Sequence, residues 1–418
     1  MHLDINIMRV LFFLEPVIFH LTPDFLSCHF MWADIARRAV IERGGVFAMA
    51  ANAEVCQRWQ ALQDEEDEER MVFPLDSFKV LSAFGYRRAD YSTALYGSGA
   101  GANYLSEELR EIRQRFRPDL VIATSQSSFV QHVFAGIPML NIEQAPMPRL
   151  GQPFRTAFDP GGHQTKSILE THAQRIKSLP LSDGDRSHLR ALLDSTYHGA
   201  VKIHPHLASA ESELRRLCGG AKIAILATQP PDWITYEGAG TGAEVENMLY
   251  AWAERLPNGW VGVPTYHPVH RLSAEMEVAL ARSCPKLRFL PPAFTQGLTE
   301  PLLTHADGLV TLSSSSAMSA LLLGKHVVVT GKSPYNTWCL SDPQDIARSP
   351  TLSPDEAMST LAFLCHRYSH LHETLVAEPG RLLPLIDAVT SSANPAEWFM
   401  DMSDWSVERA YSLFASIN

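Results

Sequence analysis

Three things are scarce in this chain, and each scarcity removes a class of protein. Positive charge is the first. The 418 residues hold 35 Lys and Arg against 46 Asp and Glu, a net charge of −11, which leaves no basic footprint for nucleic acid. Cysteine is the second. Cys28, Cys56, Cys218, Cys284, Cys339 and Cys365 are scattered, with no CxxC and no zinc spacing. That pattern predicts reduced thiols in a cytoplasmic protein. Long apolar runs are the third. Leu11 to Leu21 is short and is broken by Glu15 and Pro16, so it does not span a bilayer. It has neither a basic n-region nor a small-residue cleavage site, so a signal peptide is not expected. The expected location is the cytoplasm, free or peripheral to the inner membrane. Low-complexity segments and sequence repeats are also missing.

What remains is an ordinary globular composition, 46% hydrophobic and 19% charged, over a length that suits two or three domains. Short apolar runs alternate with amphipathic stretches. Arg9 to Leu14 reads as a buried first strand, His29 to Arg43 as a helix, and Val46 to Ala50 as a second strand. Further strands are expected at Pro118 to Thr124 and Pro138 to Glu143, with a helix over Tyr104 to Phe116. This alternation predicts a doubly wound α/β sheet. Asp64 to Arg70 reads as a solvated charge run. Gly97-Ser98-Gly99-Ala100-Gly101 reads as a mobile loop, because a glycine pattern without a preceding strand is weak. Pro146 to His163 is rich in Pro, Gly and Arg and is expected to be irregular.

A fresh α/β pattern starts at Lys222 to Thr228. It continues through a helix at Ala243 to Arg255, a strand at Trp260 to Val263, a helix at Ser273 to Arg282 and a strand at Lys286 to Leu290. Its last unit is the most marked stretch of the chain. Gly308 to Leu312 reads as a strand, Ser313 to Ser316 are four serines in a row, Ala317 to Leu323 is helical up to Gly324, and Val327 to Thr330 is the next strand. Serines at such a junction either cap the helix or seat an anion with their hydroxyls and the free N–H groups. Four exceed what one cap uses, which favours the anion seat.

Two other strand ends in this half hold unusual residues. Gln229-Pro230-Pro231-Asp232 follows one strand and Tyr266-His267-Pro268 another. With the serines they occupy comparable positions on one edge of a parallel sheet, where open α/β sheets bind ligands. Asp232 is read as a turn cap or a catalytic carboxylate, and His267 as a satisfied loop histidine or a ligand-facing one. In the first half, Glu143 ends a strand and is a surface carboxylate or an edge group. Arg149, Arg155, Asp159 and His163 are polar candidates in the segment that follows it. His366, His370 and His372 near Cys365 read as an exposed helix face, not a metal site.

Two α/β domains with an anion seat in the second resemble the GT-B glycosyltransferases. More narrowly, the chain resembles the retaining β-Kdo transferases of bacterial capsule and lipopolysaccharide synthesis, the KpsC- and WbbB-like group. The resemblance rests on Ser313 to Tyr335 (SSSSAMSALLLGKHVVVTGKSPY) with Trp338 and Asp342, on Tyr266-His267-Pro268, on Leu226 to Gly238, and on Glu143 with Arg149. It covers patches from Glu143 to Asp342, and the first 120 residues match only in fold. The chain departs from the group's pattern at Thr228, Pro231, Tyr266, His326 and Gln144-Ala145, which marks a separate branch.

The resemblance implies a GT-B fold with two Rossmann-like domains facing a cleft. Residues 1–218 are the expected acceptor-binding domain, 219–390 the nucleotide-sugar domain, and 391–418 a helical segment crossing back to the first. It implies transfer of Kdo from CMP-β-Kdo to a bacterial glycan, O-antigen or capsule, with Asp232 as nucleophile and Glu143 as acid/base. His267, Ser314, Ser315, Ser316, Gln229 and Tyr335 hold the donor on this reading. Arg149, Asp159 and His163 serve the substrate carboxylate or the acceptor. No cofactor and no metal is expected. Implied partners are CMP-Kdo, an oligosaccharide or lipid-linked acceptor and other glycan-assembly enzymes, with no nucleic acid. The competing readings are an inverting GT-B transferase, a sugar-nucleotide epimerase and a non-catalytic scaffold in polysaccharide assembly.

Overall fold

The structure is a computed structural model that describes residues 7–17, 23–62, 70–97, 104–150, 153–203, 206–231, 244–295 and 297–414. It divides into two compact units. Unit 1 comprises Met1–Gln144, Thr156–His163 and His370–Trp398, and unit 2 comprises Ala145–Arg155, Gln164–Ser369 and Phe399–Asn418.

Unit 1 is built on a seven-stranded sheet of order β11-β6-β5-β4-β1-β2-β3. These are β1 (Arg9–Phe13), β2 (Val46–Asn52), β3 (Met71–Leu75), β4 (Leu120–Ala123), β5 (Met139–Gln144), β6 (Arg155–Asp159) and β11 (Ser369–Leu371). β1 pairs in parallel with β2 and β4. Its residues Val10 to Phe13 are fully buried, as a strand covered on both faces requires. Helix α1 (Pro23–Glu42) lies between β1 and β2 and buries Trp32, Ile35, Ala36, Ala39 and Val40. It starts six residues before the expected point. Gly45 lets the chain turn tightly behind it, because a Cβ there would stand 2.8 Å from the Met8 carbonyl and from Val40 Cγ1. Further along, α2 (Arg88–Tyr96) and α3 (Tyr104–Phe116) precede β4, and α3 buries Leu105, Leu109, Ile112 and Phe116 at helical spacing.

Unit 2 has a four-stranded parallel sheet of order β10-β9-β7-β8. The strands are β7 (Lys222–Ala227), β8 (Trp260–Thr265), β9 (Gly308–Thr311) and β10 (His326–Val329). Helix α4 (Val245–Arg255) packs Val245, Met248, Leu249 and Trp252 into a core with Leu226, Trp260, Val310 and Val328. Helix α5 (Ser316–Leu322) joins β9 to β10, and Gly324 stops it with φ +66°.

The α/β class with two Rossmann-like units holds, as the GT-B resemblance implied. Several expectations are corrected. The segment read as irregular contains β6, which pairs antiparallel with β5 and is buried along its whole length. Lys286 to Leu290 is not a strand, and Leu287 makes only a single bridge to Gly262. Residues 164–218 belong to unit 2: their helices Asp183–Ile203 and Leu207–Cys218 pack on helices Pro354–Phe363 and Thr299–Leu302. The C-terminal stretch is divided differently from 391–418, since unit 1 takes 370–398 and unit 2 takes 399–418. The reason is local: β11 adds to the unit 1 sheet beside β6. The charge run at 64–69 and the glycines at 99 and 101 lie outside the described residues.

Candidate functional site

In unit 2 the chain runs β7 to β8 in one direction, then places β9 on the other side of β7. The order therefore reverses between β7 and β9, and the carboxyl edge at such a reversal is where open α/β sheets bind ligands. Register brings Ala227, Thr265 and Thr311 side by side. The three expected strand ends thus share one edge. Gln229 bridges the reversal, its Oε1 accepting hydrogen bonds from the Ser313 amide at 3.0 Å and the Ser313 hydroxyl at 3.2 Å. Ser314 Oγ accepts from the Ser316 amide at 3.3 Å and the Ser316 hydroxyl at 2.9 Å.

Arg149 supplies the cation. Its Nη2 donates to Ser315 Oγ at 2.7 Å, which leaves the Ser315 hydroxyl hydrogen to be given to something else. Glu300 fixes the Arg149 backbone, its Oε2 accepting the Arg149 amide at 2.5 Å and its Oε1 accepting Ser319 Oγ at 3.0 Å. Behind this turn Arg155 is buried and donates to the Pro148 carbonyl. Burial lowers even its guanidinium to about 10. His267 is half-buried, and its imidazole is pushed below the ordinary value by burial first, then by Arg149 and His270. The ring is therefore neutral at pH 7. Its Nδ1 accepts the Val269 amide at 3.4 Å, which assigns the proton to Nε2.

Of the expected donor residues, Gln229, Ser314, Ser315 and Ser316 stand together here. Arg149 belongs with them rather than with Asp159 and His163, which lie in unit 1. Tyr335 is buried at 3% exposure, and its amide donates to Ser333 Oγ at 3.0 Å. Asp232 lies outside the described residues.

In unit 1, Glu143 is the penultimate residue of β5, half-buried, and its Oε1 accepts the Gln144 amide at 3.0 Å. Asp159 is fully buried; its Oδ1 accepts the Gly161 amide at 2.8 Å and the Gly162 amide at 3.1 Å, so it shapes a turn. His163 closes that turn. Burial pushes it down to about 4, against a hydrogen bond with the Ile142 backbone, so it carries no charge at pH 7. The histidines His366 and His372 are buried, which corrects the exposed helix face: His366 Nε2 bonds the Asp401 carbonyl at 2.8 Å and His372 Nδ1 faces Thr156 Oγ1 at 3.3 Å.

Two residues were missed. Glu300 sits in Leu298-Thr299-Glu300-Pro301 with no motif around it. Glu15 interrupts an apolar run in the sequence, and a carboxylate just past a buried strand is itself the signal. It is 3% exposed, and burial raises its carboxyl to about 8 against the lowering effect of Ser125 and the Val17 backbone.

Residues 234–377 match the model of the family described as capsule polysaccharide biosynthesis protein. None of the curated proteins compared with the chain matches it. Among solved structures, the chain is similar to KpsC, beta Kdo 2,7 transferase, of Thermosulfurimonas dismutans. That likeness has 16% identity over 66% of this chain and 90% of that one, with a TM-score of 0.41. It is also similar to UDP-GlcNAc 2-epimerase from Neisseria meningitidis, at 13% identity over 97% and 100% of the chains and a TM-score of 0.28. The calicheamicin glycosyltransferase CalG4 gives 11% identity, 97% of each chain and a TM-score of 0.31.

Proposed function

We propose that this chain is a glycosyltransferase of bacterial surface polysaccharide synthesis, and that unit 2 binds the phosphate of its sugar-nucleotide donor. The observation that carries the reading is the Arg149 guanidinium seated on Ser315 at the β7–β9 reversal. A fixed cation beside hydroxyl donors is arranged before any ligand arrives, and preorganised donors are what a departing phosphate needs. The family match over residues 234–377 supports the polysaccharide context. Neutral His267, with its proton on Nε2, adds a donor that burial keeps independent of pH near 7.

In its finer form the donor is CMP-β-Kdo and the transfer retains configuration. Asp232 then attacks the anomeric carbon, and the bond from that carbon to the phosphate oxygen breaks with its electron pair leaving on CMP. A carboxylate suits this step because the sugar centre develops oxocarbenium character. An acceptor hydroxyl next attacks the same carbon, Asp232 departs, and the hydroxyl proton passes to Glu143. The phosphate charge is met by Arg149, the serines and His267. The acceptor is an oligosaccharide or a lipid-linked glycan.

The test is a donor screen by calorimetry with CMP-Kdo, CMP-sialic acid and UDP-sugars, followed by intact-mass spectrometry. CMP-Kdo is expected to bind, and the wild type to gain a Kdo-sized adduct that Asp232→Asn lacks while still binding donor. An active Asp232→Asn variant ends the double-displacement scheme. Binding of UDP-sugars alone ends the Kdo assignment.

A further inference from the structure

Unit 1 carries a polar constellation that this chemistry leaves unused. Its chain runs β1-β2-β3 one way and then sets β4 and β5 on the other side of β1. The sheet order thus reverses between β1 and β4. Glu15 follows β1 and Ser125 follows β4, so the two flank the reversal. Glu15 Oε2 accepts the Ser125 hydroxyl at 3.4 Å. Its Oε1 is buried and, among the described residues, has no hydrogen-bond partner. Farther along the edge Gln126 packs on Gly162, where a Cβ would come within 2.6 Å of Gln126 Oε1. His163 follows, and its buried Nε2 is likewise unpartnered among the described residues.

A carboxyl this deeply buried, with no cation against it among the described residues, holds its proton rather than its charge. The neutral group is a donor as well as an acceptor. An unspent buried donor is costly unless something completes its bonding. A ligand hydroxyl does so, and the carboxyl edge at a reversal of strand order is the place for one.

We propose that Glu15 is a neutral hydrogen-bonding acid which, with Ser125, recognises a hydroxyl of the saccharide acceptor at the β1–β4 edge of unit 1. The nature of the ligand rests on the glycosyltransferase reading. The residue is thereby distinct from Glu143, whose proposed part as a base needs the ionised form. Ionised, Glu15 loses its donor and becomes a negative charge near Tyr96. Tyr96 in α2 stays protonated, raised by burial and by Glu15 and Glu143, and Cys28 in α1 is pushed up to about 12 by burial first and then by Glu143. With Glu15 titrating at about 8, the neutral fraction falls about tenfold between pH 7 and pH 9.

The experiment uses the full chain with methyl β-galactopyranoside and the methyl glycoside of Kdo as probes, read by saturation-transfer NMR. The wild type is expected to retain at least one probe at pH 7 and to lose about tenfold in affinity by pH 9, while Glu15→Gln binds equally at both. Glu15→Ala should bind neither. Infrared difference spectra supply a second readout: a protonated-carboxyl band that titrates away above pH 8, persists in Glu143→Gln and is missing from Glu15→Gln. A wild type that binds neither saccharide, affinity that does not change with pH, or a missing infrared band overturns the proposal. CMP binding measured on the same samples separates the two readings, because retained CMP binding with no saccharide response leaves the donor site standing and removes Glu15.

Discussion

Glu15→Gln tests the protonation state of unit 1 through stability, without any ligand. The folded carboxyl titrates at about 8 and the unfolded one at its ordinary 4.5. Below 4.5 both states hold the proton, and Glu15 has no effect on the pH dependence. Between 4.5 and 8 the native state keeps a proton that the unfolded chain releases, so stability falls as pH rises. Above 8 both states are ionised and the loss levels off. The gap is 8 − 4.5 = 3.5. At about 1.4 kcal/mol for each tenfold change in proton affinity, this sets a ceiling of about 5 kcal/mol. Relaxation around the ionised group reduces that figure, so about 2 to 4 kcal/mol is expected. Glutamine keeps the shape and a donor but cannot ionise. The variant should lie within about 1 kcal/mol of wild type at pH 5 and be the more stable protein at pH 8.5. Because the chain has two units, the assay is hydrogen exchange at the β1 and β4 amides, corrected for the intrinsic rate at each pH. Parallel protection curves for the two proteins from pH 5 to pH 9 would refute the reasoning.

Other expectations concern unit 2. Arg149→Ala should weaken CMP-nucleotide binding by about ten- to a hundredfold, the cost of one charge-assisted contact; Arg149→Lys should recover only part of it, because a point charge does not reproduce the guanidinium geometry, and equal affinity across the three proteins in calorimetry would remove Arg149 from the seat. Gln229→Ala removes both bonds to Ser313 and should loosen the donor site, raising KM for donor several-fold with little change in melting temperature. Trp338 is fully buried and its Nε1 donates to the Leu169 carbonyl at 2.8 Å; Trp338→Ala should cost about 3 to 5 kcal/mol in urea unfolding, and a loss under 1 kcal/mol contradicts this packing. Chelation by EDTA should leave turnover unchanged, since the leaving phosphate is assigned to Arg149 and hydroxyl donors; activity restored only by added divalent ions reverses that assignment.

Much of unit 2 was legible because its signals are local. A strand, four serines, a short helix and Gly324 follow one another within a few turns of chain, and each has its own composition rule. Arg149 was legible as a residue but not in its place. Its contact with Ser315 spans 166 positions, and no spacing rule links residues that far apart. β6 was hidden for a related reason. Arg155 to Asp159 holds two charged residues in five, which argues against a buried strand. The sheet accepts them because Arg155 donates to the Pro148 carbonyl and Asp159 accepts two glycine amides. Tertiary partners overrode a propensity that was read correctly. Glu15 shows the opposite case, where the informative feature was a polar residue inside an apolar run, and treating it as an interruption concealed it.

The two units repeat one topological device with opposite chemistry. Each sheet reverses its strand order once, between β1 and β4 in unit 1 and between β7 and β9 in unit 2. At the second reversal the side chains described are hydroxyls, an amide, an imidazole and a guanidinium, and the Glu300 carboxylate is engaged by the Arg149 amide and Ser319. Such an edge favours an anion. At the first reversal the groups are the buried Glu15 carboxyl and the Ser125 hydroxyl, with an uncharged His163 farther along the edge, so they offer a phosphate no countercharge. A neutral, hydroxyl-bearing ligand meets partners instead. The proposed division of labour between a phosphate-binding unit and a hydroxyl-binding unit rests on the charge of the residues at these strand ends. A double exchange tests it: if Arg149→Ala lowers CMP affinity and leaves saccharide retention intact, while Glu15→Ala does the reverse, the two edges act as separate sites. If either substitution moves both affinities equally in well-folded protein, the division fails.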